Sequence, residues 1–181
     1  MDKYIDVVLK EIDKYLRSEC DCNEEVLLFS NYFHNFGNVD KQRDNIIVNI
    51  ADINVKNDLG SNIPRYIKNG ENFVVKKTPL QMYVYLFFLS HYSNSNALEG
   101  IRILSCIAGF LKENIHFSSK QIPEMNKRKM NDFNIVLEND DNKLFSKLMI
   151  PYMPSLLYKI GPIQLCGQAY SNVVIAPIKN V

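Results

Sequence analysis

Apolar residues recur at helical and strand spacings along the chain, in an order that predicts mixed α and β structure. Near the N-terminus they lie three and four residues apart, which predicts an amphipathic helix. Its buried side would carry Ile5, Val8, Leu9, Ile12, Tyr15 and Leu16. The polar residues Ser18–Glu25 end this helix, and Val26–Ser30 predicts a short strand.

The segment Asn45–Lys56 predicts a strand whose apolar side changes phase. Even positions are apolar in the first half and odd positions in the second (Ile46, Val48 and Ile50, then Ile53 and Val55). Strand side chains alternate between faces with a period of two. The change therefore requires a bulge near Ala51, or a strand that passes between layers. The following residues, Asn57–Asn72, are rich in Asn, Gly and Pro and predict a long loop or excursion.

Thr78–His91 has the strongest strand pattern in the chain, and both of its faces are apolar. One face would carry Leu80, Met82, Val84, Leu86 and Phe88, and the other Tyr83, Tyr85, Phe87 and Leu89. A strand that is apolar on both faces is typical of a central position covered from both sides. Helices could cover one face and a neighbouring subunit the other, and the residues alone leave that choice open.

The residues after this strand predict a helix with its own start signal. Asn94–Asn96 offers a cap, and Glu99 stands three residues after Asn96, as in a capping box. The main buried stripe would be Ala97, Ile101, Leu104, Ala108 and Leu111, widened by Ile103, Ile107 and Phe110.

The rest of the chain predicts short strands, one loop and one short helix. In order, these are a strand at Ile115–Phe117, a polar loop at Ser118–Asp132, a half-exposed strand at Phe133–Glu138, a helix at Lys143–Ile150 ended by Pro151, a strand at Ser155–Leu165 interrupted at Gly161-Pro162, and a last strand at Val173–Ile175. The order predicts an α+β fold: a mainly antiparallel sheet with helices packed on it. With no internal repeat or break in composition, we expect a single domain over residues 1–181.

Charge and apolar runs narrow the class of protein. The 21 basic and 20 acidic side chains give a formal net charge of +1, which provides no field to attract nucleic acid or an anionic membrane. The longest apolar run, Tyr83–Leu89, is far shorter than the roughly 20 residues of a spanning helix. The four cysteines do not form a disulfide pattern. We expect a cytoplasmic protein with reduced thiols, no membrane insertion and no nucleic-acid partner.

Side chains that could support catalysis or metal binding are scattered. The histidines (His34, His91 and His116) lie in different segments, and the glycines form no phosphate-binding loop. Cys20-x-Cys22 has a single spacer, shorter than zinc-site spacings. A Cys106–His116 pair stays open because such partners meet in space, although the apolar helix predicts a buried, inert Cys106 thiol. We expect no enzymatic activity, cofactor, metal or small-molecule substrate.

Two groups of surface residues are candidates for contacts with other proteins. Tyr83 and Tyr85 would combine ring burial with a polar tip, which is typical of interfaces. The basic run Lys127, Arg128 and Lys129 could bind phosphate or an acidic protein face, or could simply be a solvated surface.

Two further stretches carry a resemblance to a known family. One is Thr78-Pro79-Leu80-Gln81-Met82-Tyr83-Val84-Tyr85-Leu86-Phe87-Phe88-Leu89, followed by Tyr92 and Asn96-Ala97-Leu98-Glu99-Gly100-Ile101; the other is Tyr152-Met153-Pro154-Ser155-Leu156-Leu157-Tyr158-Lys159-Ile160. With the opening helix, they resemble the N-terminal domain of the tail terminator, or cap, proteins of phage-tail-like contractile injection systems, such as the antifeeding prophage and the Photorhabdus virulence cassette. The chain departs from that pattern at residues 143–148, where members carry Trp and Gly.

The resemblance implies a structural protein with a phage tail-terminator-like fold. It would form a homo-hexameric ring at the distal end of the inner tube and sheath, stop their polymerisation and join the two. Its partners would be its own copies and the tube and sheath proteins. An edge strand at Val173, Val174 and Ile175 could pair with a neighbouring chain or complete its own sheet.

Two other functions remain open on the sequence. A tail or baseplate connector of the same machine would share the fold and also need no reactive site. A small enzyme would use a dispersed Cys-His or carboxylate pair.

Overall fold

Two long helices pack on one face of a six-stranded sheet, as the apolar pattern predicts. The structure, a computed structural model, describes residues 1–22, 26–29, 44–56, 65–69, 72–76, 80–138 and 153–165. Its elements are α1 (Asp2–Glu19), β1 (Leu27–Phe29), β2 (Asn45–Lys56), β3 (Arg65–Asn69), β4 (Asn72–Lys76), β5 (Leu80–His91), a 3-10 helix (Asn94–Asn96), α2 (Ala97–Glu113), β6 (His116–Phe117), α3 (Pro123–Lys127), β7 (Phe133–Glu138) and β8 (Ser155–Leu165).

The main sheet has the strand order β1-β2-β5-β8-β7-β6. Its first pair, β1 with β2, is parallel, and the other neighbouring pairs are antiparallel. The α+β prediction is confirmed, for a mixed sheet that is antiparallel in most of its pairs. Strands β3 and β4 form a separate antiparallel hairpin. The stretch Asn57–Asn72 is predicted as a long loop or excursion, and over β3 the loop alternative is wrong, because Tyr66 and Ile67 have strand propensity within the polar stretch.

Strand β2 contains a bulge at the position where the change of phase in its sequence predicts one. Ile50 pairs with Leu86, whereas Asp52 pairs with Tyr85, so Ala51 is the extra residue. The bulge keeps Ile53 and Val55 on the helix-covered face with Ile46 and Val48. Beyond it, however, the burial ends: Ile53 and Val55 are 43% and 42% exposed.

Strand β5 is buried on both faces, which confirms its predicted central place. Met82, Val84, Leu86 and Phe88 join the core beneath α1 and α2. On the opposite face, a second cluster buries Phe87 and Leu89 with Ile47 and Leu157. Because this cluster is buried within the chain itself, no neighbouring subunit is needed to cover that end of the sheet.

Helix α1 begins and buries its apolar side as predicted. All six predicted residues line the core: four are buried, and Leu9 and Tyr15 are partly buried against it. Tyr4 and Val7 are buried as well. Tyr4 meets Phe133 of β7 edge to face at 5.3 Å between ring centroids. Tyr15 and Phe110 lie 4.9 Å apart between centroids and join α1 to α2.

The predicted capping box before α2 does not form. The Asn96 side chain makes no cap hydrogen bond; its amide donates instead to Asp44 Oδ2 at 2.5 Å. Asp44 also accepts the Ser93 backbone N–H at 2.7 Å, and Glu99 pairs with Arg102. A carboxylate from before β2 thus holds the residues that lead into α2, because it accepts several hydrogen bonds at once.

The buried stripe of α2 is rotated from the predicted one. The buried residues are Gly100, Ile103, Leu104, Ile107 and Leu111, whereas Ala97 is exposed and Ile101 is 45% exposed. Gly100 decides the rotation. A Cβ there would lie 2.1 Å from Ser90 Oγ and 2.7 Å from the Tyr92 ring, so the helix approaches β5 closely along its glycine.

The remaining predictions vary in outcome. Strands β6, β7 and β8 lie where predicted, and Gly161-Pro162 shifts the register of β8 against β5 without ending it. The loop predicted over Ser118–Asp132 contains α3, which begins with Pro123, a residue favoured at the first helical position. The predicted helix Lys143–Ile150 and strand Val173–Ile175 lie outside the described residues. None of the helices described has the length and apolar character needed to cross a membrane.

Candidate assembly surfaces

Tyrosine and lysine side chains meet on the sheet face that points away from α1 and α2. Tyr83 and Tyr85 of β5 and Lys159 of β8 face this side, because Tyr85 pairs with Lys159 in the register. Lys159 Nζ lies 5.2 Å from the Tyr83 ring centroid and 5.9 Å from that of Tyr85, and Lys56 Nζ lies 5.4 Å from Tyr83. With Glu138 of β7, these residues form what we call the tyrosine–lysine patch.

The patch is held together by charge as well as by ring contacts. Lys159 Nζ lies 3.3 Å from Glu138 Oε1, and both side chains are about one-third exposed, at 31% and 33%. Burial opposes the charged form of Lys159, but the hydrogen bond to Glu138 raises its pKa above the ordinary value. Ammonium groups over tyrosine rings add modest attraction. Both tyrosines are half-buried, so each keeps part of its surface available to a partner.

The three residues of the basic run differ in their contacts. Arg128 Nη1 lies 2.6 Å from Asp6 Oδ2, and Arg128 also pairs with Glu124. Lys127 and Lys129 are exposed. Lys3 Nζ donates to the backbone oxygens of Arg128 and Lys129 at 3.2 and 3.4 Å, which fixes this turn to α1. Arg128 therefore ties α3 to α1, and the two lysines remain available at the surface.

The third candidate group, Val173, Val174 and Ile175, lies outside the described residues. The structure therefore describes two of the three candidate groups, the tyrosines and the basic run. The sequence analysis does not identify the lysines that lie beside the tyrosines. Those lysines become visible only from the strand register, because Lys56 and Lys159 share a face with Tyr83 and Tyr85 once β2, β5 and β8 are aligned.

The side chains that could support catalysis or metal binding lie in separate parts of the described structure. His116 is exposed; its Nδ1 lies 2.8 Å from Asn134 Oδ1, and its Nε2 lies 4.0 Å from Asp132 Oδ2. Cys106 instead packs against the core cluster that contains Cys20 and Cys22. Within the described part of the chain, no group of three or more His, Cys, Asp or Glu residues is arranged to hold a metal ion.

Three thiols share the region where α1 ends beside α2. Cys20 and Cys22 are buried, although the polar stretch around them predicts a loop, and Cys106 is partly buried. Burial, reinforced by a hydrogen bond with Cys106, raises the pKa of Cys20 to about 12. Burial also raises the pKa of Cys22, opposed by Arg102, whose Nη2 lies 3.9 Å from Cys22 Sγ. Thiols held protonated are poor nucleophiles.

Two solved structures share this fold. One is described as the anti-feeding prophage cap, a tube-terminating cap; it has a TM-score of 0.51 and 17% identity, over 94% of this chain and 57% of that one. The other is described as the PVC sheath/tube terminator of an extracellular contractile injection system in the extended state. It has a TM-score of 0.53 and 13% identity, over 99% of this chain and 60% of that one.

The matches also show how much of each matched protein the chain covers. The chain spans somewhat under two-thirds of the length of each of these two proteins. No curated protein sequence matches the chain. A family model described as the Pvc16 N-terminal domain matches residues 22–173, which include β1 to β8 and both tyrosines of the patch. The chain therefore belongs to the Pvc16 N-terminal domain family.

Proposed function

We propose that this chain is a structural subunit of a homo-hexameric ring. The ring caps the distal end of the inner tube and sheath of a contractile injection system and terminates their polymerisation. The observation that carries the proposal is the family match over residues 22–173, joined to a fold shared with two tube or sheath terminators over nearly the whole chain. Residues 1–181 act as one domain in this proposal.

The chemistry of the described residues supports a role based on shape. A cap needs one face complementary to the last ring of the tube or sheath, and another that offers no further continuation. The tyrosine–lysine patch suits the first requirement: Tyr83 and Tyr85 are half-buried and already held in place by Lys159. Lys127 and Lys129 offer a second contact, suited to an acidic face. Val173, Val174 and Ile175 would add a strand to a neighbour.

The proposal needs no cofactor and no enzymatic activity. The chain would assemble in the cytoplasm and become part of the end of the particle, with tube, sheath and its own copies as partners. It would bind no nucleic acid or small-molecule substrate and would not insert into a membrane.

Deletion of the gene tests the capping role. Tubes that become overlong or unstable in electron micrographs are the expected result, because nothing would then stop addition of subunits. Complete absence of tubes would contradict termination and would indicate a baseplate or connector role. Unchanged tube length would contradict both.

Substitutions in the patch test where the cap binds. We expect Tyr85→Ser to leave a folded ring that no longer sediments with tubes. Leu98→Ser is the matched control, because Leu98 is 83% exposed on α2, the opposite side of the sheet. Equal sedimentation of the two variants would remove the patch from the proposed contact.

A further inference from the structure

A polar pocket lies where the end of α2 meets the middle of α1 and the start of β6. Its volume is about 270 Å³, and its lining combines a carboxylate with side-chain amides and aromatic rings. The lining includes Glu11, Phe110, Asn114, Phe117 and Gln121. We call it the Glu11 pocket. The tyrosine–lysine patch and the basic run contribute none of its residues.

The Glu11 carboxylate gives this pocket a negative charge that nothing in the described lining balances. Glu11 is half-buried, and it has no hydrogen bond or ion pair with any other residue that the structure describes. The described residues that line the pocket include no lysine and no arginine. His116 also lines it, but the two ring nitrogens face Asn134 and Asp132. The charge of the pocket therefore favours a cation.

The end of α2 adds negative potential on the same side. Helix α2 ends at Glu113, and Phe110 and Asn114 from this end line the pocket. The last carbonyl oxygens of a helix have no partner within it and form the negative end of the helix dipole, which stabilises cations. The Asn114 side-chain amide donates to the Phe110 carbonyl oxygen at 2.9 Å, so Asn114 Oδ1 remains as an acceptor.

Hydrogen-bond acceptors outnumber donors among the polar groups of the lining. Glu11 supplies two carboxylate oxygens, Asn114 its Oδ1, and Gln121 an Oε1 that accepts the Ser118 hydroxyl at 3.3 Å and has a further lone pair. A ligand that suits these groups brings several donors and a positive charge. A guanidinium has five N–H donors in a planar fork and stacks on aromatic faces, whereas an ammonium has three donors and is more strongly hydrated.

We propose that the Glu11 pocket binds an arginine side chain of a partner protein. The guanidinium pairs with the Glu11 carboxylate through two parallel hydrogen bonds and lies against the partly buried Phe110 ring. The volume of about 270 Å³ is below the roughly 300 Å³ at which pockets for drug-sized ligands begin, so it suits one long side chain. This inference goes beyond the proposed ring and does not depend on it.

The charge of the lining also indicates that the arginine belongs to a polypeptide. A free arginine brings its own α-carboxylate, which Glu11 repels and which no lysine or arginine of the described lining would pair. An arginine within a protein chain has no such group. The proposal therefore commits to a side chain presented on the surface of another protein.

Titration of the ¹⁵N-labelled chain with N-acetyl-arginine amide, followed by NMR, tests the pocket. We expect saturable shifts at Phe110, Asn114 and Gln121 with a millimolar dissociation constant, because one side chain has few atoms with which to bind. N-acetyl-citrulline amide is the matched probe, since it has nearly the same shape and no charge. It should bind about tenfold more weakly or worse, because the hydrogen bonds to a charged group are lost.

Three variants locate the site. Glu11→Gln should weaken binding of the arginine probe about tenfold or more, because it removes the charge and keeps the shape of the side chain. Glu19→Gln is the matched control and should bind like the wild type, since it removes an exposed carboxylate of the same helix outside the lining. Gln121→Glu should tighten binding, because it adds a second carboxylate and keeps an oxygen that accepts from Ser118. The amide spectrum shows that each variant is folded.

The results that would overturn the proposal are separate from those that test the ring. Equal affinity for the arginine and citrulline probes would overturn the cation site. So would wild-type affinity in Glu11→Gln, or the lack of saturable shifts at the pocket. Free arginine that binds as tightly as the capped probe would overturn the assignment to a protein-borne side chain. The titrations use the chain without tube or sheath proteins, so these failures would leave the proposed ring untouched.

Discussion

The Tyr83 ring lies directly against the backbone of Gly161 in the neighbouring strand β8. A Cβ on Gly161 would come within 2.7 Å of Tyr83 Cδ1 and 3.0 Å of the Met82 carbonyl oxygen. Gly161 also has φ of +151°, in the region that favours glycine. The position of a candidate interface tyrosine thus depends on a glycine one strand away.

We expect Gly161→Ala to lower the free energy of unfolding by about 2 kcal/mol or more, because it combines backbone strain with overpacking. Denaturant unfolding measures the loss. In a Tyr83→Ala background the same substitution should cost less, since the ring contact is gone while the backbone strain remains. An equal cost in both backgrounds would show that Tyr83 and Gly161 are not coupled.

Two glycines of α2 should respond to alanine with opposite signs. Both substitutions gain up to about 1 kcal/mol of helix propensity. Gly109 has open space around its Cβ position, whereas a Cβ on Gly100 would overlap Ser90 and Tyr92. We expect Gly109→Ala to stabilise the protein by about 0.5–1 kcal/mol and Gly100→Ala to destabilise it by about 1–2 kcal/mol. Thermal unfolding of the two variants checks the difference, and shifts of the same sign would contradict it.

The main elements were predictable because their patterns are local. The bulge at Ala51 follows from the change of phase in β2, and the two-faced burial of β5 follows from its apolar run. These features depend on side-chain alternation, which is visible within one segment.

The misplaced features depend on residues distant in sequence. The stripe of α2 is rotated where Gly100 packs on Ser90 and Tyr92. The Asn96 side chain makes no cap bond, and its amide donates to Asp44, which is 52 residues away in sequence. At the candidate surface, the tyrosines were foreseen but not Lys56 or Lys159, which join them only through strand register.

We expect the ion pairs that join α1 to α3 to make the free energy of unfolding depend on pH in the acid range. Burial of Asp6 opposes its ionisation, but hydrogen bonds from Lys10 and Arg128 outweigh it and lower the pKa of this carboxyl below 3.8. A lowered folded-state pKa gives stability that is present above the unfolded value and is lost as pH falls through the folded one. We expect stability to fall more steeply in the wild type than in Asp6→Asn between about pH 5 and about pH 2.

Chemical denaturation at a series of pH values measures this difference. Arg128→Gln should also make the free energy of unfolding less dependent on pH, because it removes one of the two cations that favour the Asp6 carboxylate. Parallel profiles for wild type and Asp6→Asn would contradict the role of this pair.

The buried thiols should resist alkylation in the folded chain. Because the pKa of Cys20 is raised to about 12 from 9.0, its thiolate at neutral pH is scarcer by a factor on the order of a thousand. We expect iodoacetamide to label Cys20 and Cys22 slowly in the native protein and rapidly in urea, with peptide mass spectrometry resolving each site. Cys106→Ser should speed labelling of Cys20 only modestly, since burial is the main cause of the raised pKa and the Cys106 hydrogen bond is second to it.

Labelling of Cys20 at the unfolded rate would contradict this arrangement. The same measurement bears on catalysis, because a cysteine nucleophile acts as the thiolate and needs access to its substrate. Among the described residues, Cys20 and Cys22 are protonated and enclosed, and Cys106 packs against the same core, away from the contacts of His116. Slow labelling of Cys20 and Cys22 would therefore identify these two thiols as core side chains.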